Sequence, residues 1–77
     1  MTKTEAVAAR DAAFTAYRTA VDAVAAAPTT RKRNAAQRAA DDAYRTYGFA
    51  LADVERAVRA EMVGAPEAAI MAAAAAA

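Results

Sequence analysis

The stretch that decides the fold is residues 44–62, YRTYGFALADVERAVRAEM. Its larger apolar side chains recur at intervals of three and four residues, which is the spacing of one face of an α-helix at a coiled-coil seam. These residues are Tyr44, Tyr47, Leu51, Val54, Val58 and Met62. Apolar residues do not alternate with polar ones, so β-strand is not expected. The sequence therefore predicts a long amphipathic helix here.

Two breaks divide the rest of the chain. Pro28-Thr29-Thr30 separates an Ala-rich segment from this helix, and Gly64-Ala65-Pro66 ends it. Proline disfavours helix at the preceding residue, and glycine is the usual residue just past a helix end. Thr2 or Thr4 can cap the first helix, and Thr29 or Thr30 can cap the second. We expect a helical hairpin over residues 1–63, with helices at 4–27 and 30–63 joined by a loop at 28–30, and an Ala-rich tail or short third helix at 64–77.

The first helix carries a matching apolar set, which makes the predicted fold an all-α antiparallel hairpin. Its seam residues are Val7, Phe14, Tyr17 and Val21. If the chain reverses near residue 29, Phe14 pairs with Tyr44 and Val7 pairs with Leu51. The second helix then extends past the first by its last two turns.

This overhang predicts a partner. Val58, Met62 and Val63 lie on it, and they need cover from the 64–77 segment, a second subunit or another protein. Phe49 points away from the seam, so it is expected to face a second helix surface. Its neighbour Gly48 has three interpretations: a neutral substitution that the helix tolerates, a kink in the helix, or a point where another backbone approaches closely. We expect these four apolar residues to bind the partner. A chain of this size draws little stability from its own core, which favours a symmetric dimer forming a four-helix bundle.

The composition excludes most catalytic chemistry. Alanine takes 29 of 77 positions, and cysteine and histidine are absent. The chain therefore has no thiolate or imidazole ligand for a metal, no Ser-His or Cys nucleophile and no histidine base. The carboxylates fit surface ion pairs four residues apart, such as Glu55 with Arg59 and Asp41 with Arg45. We expect no enzyme activity, no cofactor and no metal site.

The run Arg31-Lys32-Arg33 is the most distinctive polar feature. Three cations in the first turn of a helix oppose the macrodipole, whose positive end lies there. A solvated loop is the simpler interpretation. An anion-binding tip that contacts phosphate or nucleic acid is the functional one. In layout, though in no residue motif, the hairpin is similar to the small RNA-binding helical-hairpin dimers of the Rop type.

Three functional hypotheses follow. The first is a non-enzymatic protein–protein interaction module that self-associates or packs on a larger partner as an accessory subunit. The second is a small nucleic-acid-binding bundle protein that uses the basic tip. The third is a phage-encoded accessory or inhibitory protein that binds a host or virion protein. It is suggested by the small size of the chain and by its eight arginines against two lysines, a ratio typical of GC-rich coding sequences. The charged residues interrupt any membrane span or signal peptide, so a cytoplasmic location is expected, or a virion-associated one for a phage protein.

Overall fold

The computed structural model describes residues 1–77 and consists of three helices joined by short turns. α1 spans Lys3–Ala26, α2 spans Thr30–Glu61 and α3 spans Glu67–Ala76. The two long helices pack against each other, which confirms the predicted all-α hairpin. Residues 64–77 contain the short third helix, which packs against α2.

Each long helix starts at a threonine cap. The Thr2 hydroxyl accepts a hydrogen bond from the backbone N–H of Glu5, and the Glu5 carboxylate accepts one from the N–H of Thr2, both at 3.1 Å. These reciprocal bonds satisfy two backbone donors at the start of α1 and hold the pKa of Glu5 below its usual value. Thr29 caps α2 by accepting from the N–H of Lys32 at 3.2 Å.

The helix ends follow from proline and glycine. α1 stops because Ala27, the residue before Pro28, takes an extended conformation, with ψ of 125°. After α2, Gly64 adopts a φ of +88°, a left-handed conformation that side chains other than glycine rarely reach. This turn reverses the chain so that α3 returns toward the hairpin.

Alanine occupies the centre of the seam between α1 and α2. The buried residues there are Ala6, Ala13, Ala40, Ala50, Val54 and Val58. Small side chains let two helices approach closely, and the larger side chains are then displaced to the flanks of the contact. Of the expected seam residues, Val7, Tyr17 and Tyr47 are half-buried and Val54 is buried, whereas Phe14, Val21, Tyr44 and Leu51 are exposed.

The register differs from the expected pairing by three residues, close to one helical turn. The ring centroids of Phe14 and Tyr47 lie 5.3 Å apart, as do those of Tyr17 and Tyr44. Phe14 was expected to pair with Tyr44, and that expectation is wrong. Because of the shift, the first turn of α1 lies level with the last turn of α2, and Lys3 Nζ lies 3.8 Å from a carboxylate oxygen of Glu61. The expected overhang of two turns is therefore absent.

α3 covers the end of the hairpin that is distant from the loop. Its Ile70 side chain is 4% exposed and forms one core cluster with Ala6, Val54 and Val58. Met62 and several alanines of α3 pack around this cluster. Three ways of covering Val58 and Met62 were considered: the C-terminal segment, a second subunit or another protein. In the structure, the C-terminal segment folds back and covers them.

Candidate protein-binding groove

One side of the alanine seam carries the larger apolar side chains of both long helices. Val7, Phe14 and Val21 follow one another at seven-residue intervals on α1, and Tyr44 and Leu51 do so on α2. A seven-residue interval returns a side chain to nearly the same face of a helix. We call the surface formed by these five residues the groove face.

Aromatic rings bridge the two helices along this face. The rings of Tyr17 and Tyr47 are nearly parallel, with centroids 6.4 Å apart and an interplanar angle of 6°. The guanidinium of Arg18 lies 5.9 Å from the centroid of the Phe14 ring, within range of a cation–π contact. These contacts fix the relative positions of the helices near the middle of the hairpin.

α3 packs on α2, covers one end of the groove face and leaves the rest open. Arg59 pairs with its Glu67, and Val7 of α1 and Met62 pack against the same core cluster as its Ile70. Toward the loop, a surface depression of about 610 Å³ remains between the helices. Its lining residues are Tyr17, Val21, Val24, Ala25, Gln37, Ala40, Asp41 and Tyr44. We call this the open half of the groove.

The groove face displays large apolar side chains to solvent, of which Val21 and Tyr44 line the open half and Phe14 and Leu51 lie next to it. Phe14 and Val21 are each 42% exposed, Leu51 is 43% exposed and Tyr44 is 61% exposed. They lie on one continuous face rather than singly over the surface. Contiguous apolar patches are uncommon on monomeric proteins and mark interaction sites.

An ion-pair cluster anchors α3 at the closed half. Arg59 donates from two nitrogens to the Glu67 carboxylate, at 2.6 and 2.8 Å, and also to Glu55 at 2.9 Å. The hydrogen bonds from Arg59 hold the pKa of Glu67 below its usual value. Those to Glu67 and then Glu55 raise the pKa of Arg59. α3 is thus held by one buried isoleucine and one solvent-exposed bidentate pair.

The four residues expected to bind a partner are divided by the structure. Val58 is 1% exposed and Met62 is half-buried against the cluster under α3, so neither is available to another molecule. The expectation that they lie on an uncovered overhang is wrong, because α1 reaches them and α3 folds over them. Phe49 and Val63 are 67% and 88% exposed, so both lie at the surface of the chain.

Gly48 lies on the outer side of α2, between the exposed rings of Tyr44 and Phe49. A β-carbon added there would meet nothing within 4 Å. No other backbone of the chain approaches this glycine, and α2 continues through it as regular helix.

The basic tip lies where the sequence indicated. Arg31, Lys32 and Arg33 are exposed in the first turn of α2, and that turn contains no acidic residue. None of the three has a carboxylate within salt-bridge distance. Of the expected ion pairs four residues apart, Glu55 with Arg59 forms, whereas Arg45 pairs with Asp42 instead of Asp41.

No three carboxylates converge closely enough to hold a metal ion. None of the three helices combines the length and the apolar character that crossing a membrane requires.

The sequence showed only part of the row of small residues at the contact: the alanines at 36, 40 and 43 were expected to let the helices approach closely, whereas Ala6, Ala13 and Ala50 were missed. Ala6, Ala13 and Ala20 recur every seven residues on α1, and Ala36, Ala43 and Ala50 do so on α2. In a chain with 29 alanines this repeat has little contrast against its background. Ile70 was also missed, although it is the one β-branched residue in an otherwise Ala-rich segment.

Comparison of the chain with protein-family models, with curated proteins and with solved structures gives no match. Function is therefore inferred from the groove, the basic tip and α3.

Proposed function

We propose that this chain is a non-enzymatic protein–protein interaction module whose open groove half packs against a helix of another polypeptide. The observation that carries the proposal is the row of exposed apolar residues Phe14, Val21, Tyr44 and Leu51, which share one face of the hairpin. Their shared face forms a trough between two parallel ridges, the shape that an amphipathic helix fits.

The groove also supplies polar contacts at its edges. Arg18 lies on the α1 side, and Gln37 and Asp41 lie on the α2 side, where the Gln37 amide donates to the Asp41 carboxylate at 3.0 Å. Neither Arg18 nor Asp41 has an ion-pair partner in the chain. An apolar centre with a polar rim is the usual composition of a protein interface.

Two kinds of assembly fit this role. One is self-association of two hairpins, of which a four-helix bundle is the simplest form, and the other is packing on a larger protein as an accessory subunit. Phe49 on the outer side of α2 and Val63 in the turn after α2 are exposed apolar residues that are also available for such contacts. Tyrosine and phenylalanine are enriched at interfaces because they bury a large area for little loss of side-chain entropy.

Site-specific photo-crosslinking tests the proposal. Benzoylphenylalanine at position 44, in the open half, is expected to form a covalent adduct with a polypeptide in cells that make the chain naturally. The same group at position 19 is the control, since Thr19 is exposed on the outer side of α1. Adduct formation at 44 but not at 19 supports the proposal. Equal yields at both positions, or none at either, would refute it.

Nucleic-acid binding by the basic tip is the second candidate function. It is favoured by the lack of any carboxylate partner for Arg31, Lys32 and Arg33. The triple substitution of these residues by glutamine is expected to abolish an affinity for double-stranded RNA that falls steeply with salt. A chain that does not retard RNA even at low salt would contradict this candidate.

A further inference from the structure

α3 is apolar on all sides. Its ten residues, EAAIMAAAAA, contain one charged side chain, Glu67, at the first position. Ile70 is the residue that it buries, whereas Met71 is 46% exposed and the alanines at 68, 69, 72, 75 and 76 are exposed. A helix that is hydrophobic all round is normally buried on all sides. The outer surface of α3 is therefore exposed to solvent, although its apolar composition favours burial.

The same face of the molecule holds a surface of matching shape. α3 stands above the closed half of the groove face, and the open half lies beside it as a trough lined by Val21, Tyr44 and Tyr17. One end of the face is thus raised and apolar, and the other end is recessed and apolar. A raised end fits the recessed end of a second molecule that faces it in the opposite direction.

We propose that a second copy of this chain occupies the open half, in an antiparallel two-fold dimer in which each α3 seats over the open groove of its partner. This rests on the proposed function and names the polypeptide that the groove binds. The contact is reciprocal, because the same two surfaces meet twice, as a two-fold axis requires. Both uncovered apolar surfaces, the outer side of α3 and the open half, become buried by one arrangement.

The charge distribution along the molecule favours the antiparallel direction. The loop half, residues 17–46, carries six basic and three acidic residues, for a net charge of +3. The remaining residues, in the half that contains α3, carry four basic and six acidic residues, for −2. The antiparallel dimer places each positive end beside a negative end. A parallel dimer would bring the two basic tips together and stack one α3 on the other.

A charge-complementation experiment tests this geometry. Met71→Glu on α3 and Tyr44→Lys in the open half each place a lone charge in the proposed contact, so each variant is expected to weaken dimerisation at least ~100-fold. Mixing the two variants restores one contact as a Glu–Lys pair and leaves the other contact unaltered. The mixture is therefore expected to form a 1:1 heterodimer of twice the 7.9 kDa chain mass, measured by light scattering or native mass spectrometry.

Folding controls accompany the mixture. Both substituted residues are exposed in the single chain, at 46% and 61%, so helical circular dichroism is expected to be unchanged in each variant. Thr19→Lys, on the outer side of α1, is the matched control and is expected to leave the dimer intact. A wild-type dimer that survives either substitution, or variants that do not re-associate on mixing, would overturn the arrangement.

Spin labels distinguish the two directions of packing. The chain has no cysteine, so Asn34→Cys provides a single labelling site near the loop. In the antiparallel dimer the two labels are separated by a distance approaching the 53 Å length of the molecule. A separation of less than half that length indicates the parallel dimer and contradicts the proposal.

The outcomes separate this inference from the proposed function. A chain that stays monomeric at all concentrations while position 44 crosslinks to a different polypeptide overturns the second-copy inference and supports the interaction module. Absence of both self-association and crosslinking overturns both. A crosslinked product of twice the chain mass, together with re-association of the mixed variants, supports both.

Discussion

The two ends of the hairpin use the same groove differently. At the end distant from the loop, α3 packs on α2 and covers the groove face, Ile70 completes a core with Val54 and Val58, and Arg59 pairs with Glu67. Toward the loop, the groove contains larger apolar side chains and no helix covers them. The groove face is therefore covered by α3 at one end and exposed to solvent at the end near the loop.

Charge follows the same division. Five of the six salt bridges lie entirely within the half that contains α3, and the sixth joins Arg45 to Asp42. In the loop half, the charges without an ion-pair partner are Arg18, Asp22, Arg31, Lys32, Arg33, Arg38 and Asp41. One end of the molecule pairs its own charged groups, and the other end leaves apolar and charged groups exposed.

The largest expected effect comes from comparing the truncation of a buried side chain under α3 with that of an exposed side chain on the groove face. Val58→Ala removes two buried methyl groups and leaves a cavity under α3, which should lower the free energy of unfolding by about 2 kcal/mol. Leu51→Ala removes a larger side chain that is 43% exposed, so it should cost about 1 kcal/mol or less. Urea denaturation in the Met71→Glu background, which blocks the proposed dimer, measures both. Equal costs would show that the ends do not differ in burial.

A smaller effect is expected where the two halves meet. Gly48→Ala should raise the free energy of unfolding by about 1 kcal/mol, because alanine favours helix and its β-carbon meets nothing within 4 Å. Ala52→Gly, one turn further along the exposed side of α2, is the matched control and should lower that free energy by a similar amount. A destabilising Gly48→Ala would mean that α2 bends at this position. Both changes are measured by thermal denaturation followed by circular dichroism.

The smallest effect is the pH dependence of α3 docking. The pKa of Glu67 is lowered by its hydrogen bonds from Arg59, so the folded chain binds this proton less readily than the unfolded chain does. The stabilisation is present above the ordinary glutamate value of 4.5 and is lost as the pH falls through the lower folded pKa. The NMR signals of the Ile70 methyl groups should report this loss. Glu67→Gln should remove the Glu67 contribution, and an unchanged titration in that variant would contradict the assignment.

Much of the local structure could be predicted from single residues. Pro28 and Gly64 set the ends of the two long helices, and the Thr2 and Thr29 caps were among the expected candidates. These features depend on interactions within four residues of the chain, which a sequence displays directly. The basic tip was recognised for the same reason, since its three residues are consecutive.

The groove could not be predicted in the same way, because it depends on which helical stripe faces the neighbouring helix. Phe14 and Ala13 point about 100° apart, and hydrophobicity favoured placing Phe14 in the seam. Close approach of the helix backbones instead selected Ala13. Packing on Ala13 instead of Phe14 also shifted the register of the two helices by three residues and removed the expected overhang.

The sequence by itself determined the two long helices, the turns that end them, and a chain without cysteine or histidine chemistry; it left residues 64–77 as either an Ala-rich tail or a third helix. Tertiary structure alone decided that alanine forms the seam, that α3 covers Val58 and that Tyr44 and Leu51 remain at the surface. The physical reason is that helix formation and capping are local, whereas burial is a competition between faces that is settled by how closely two helices can pack.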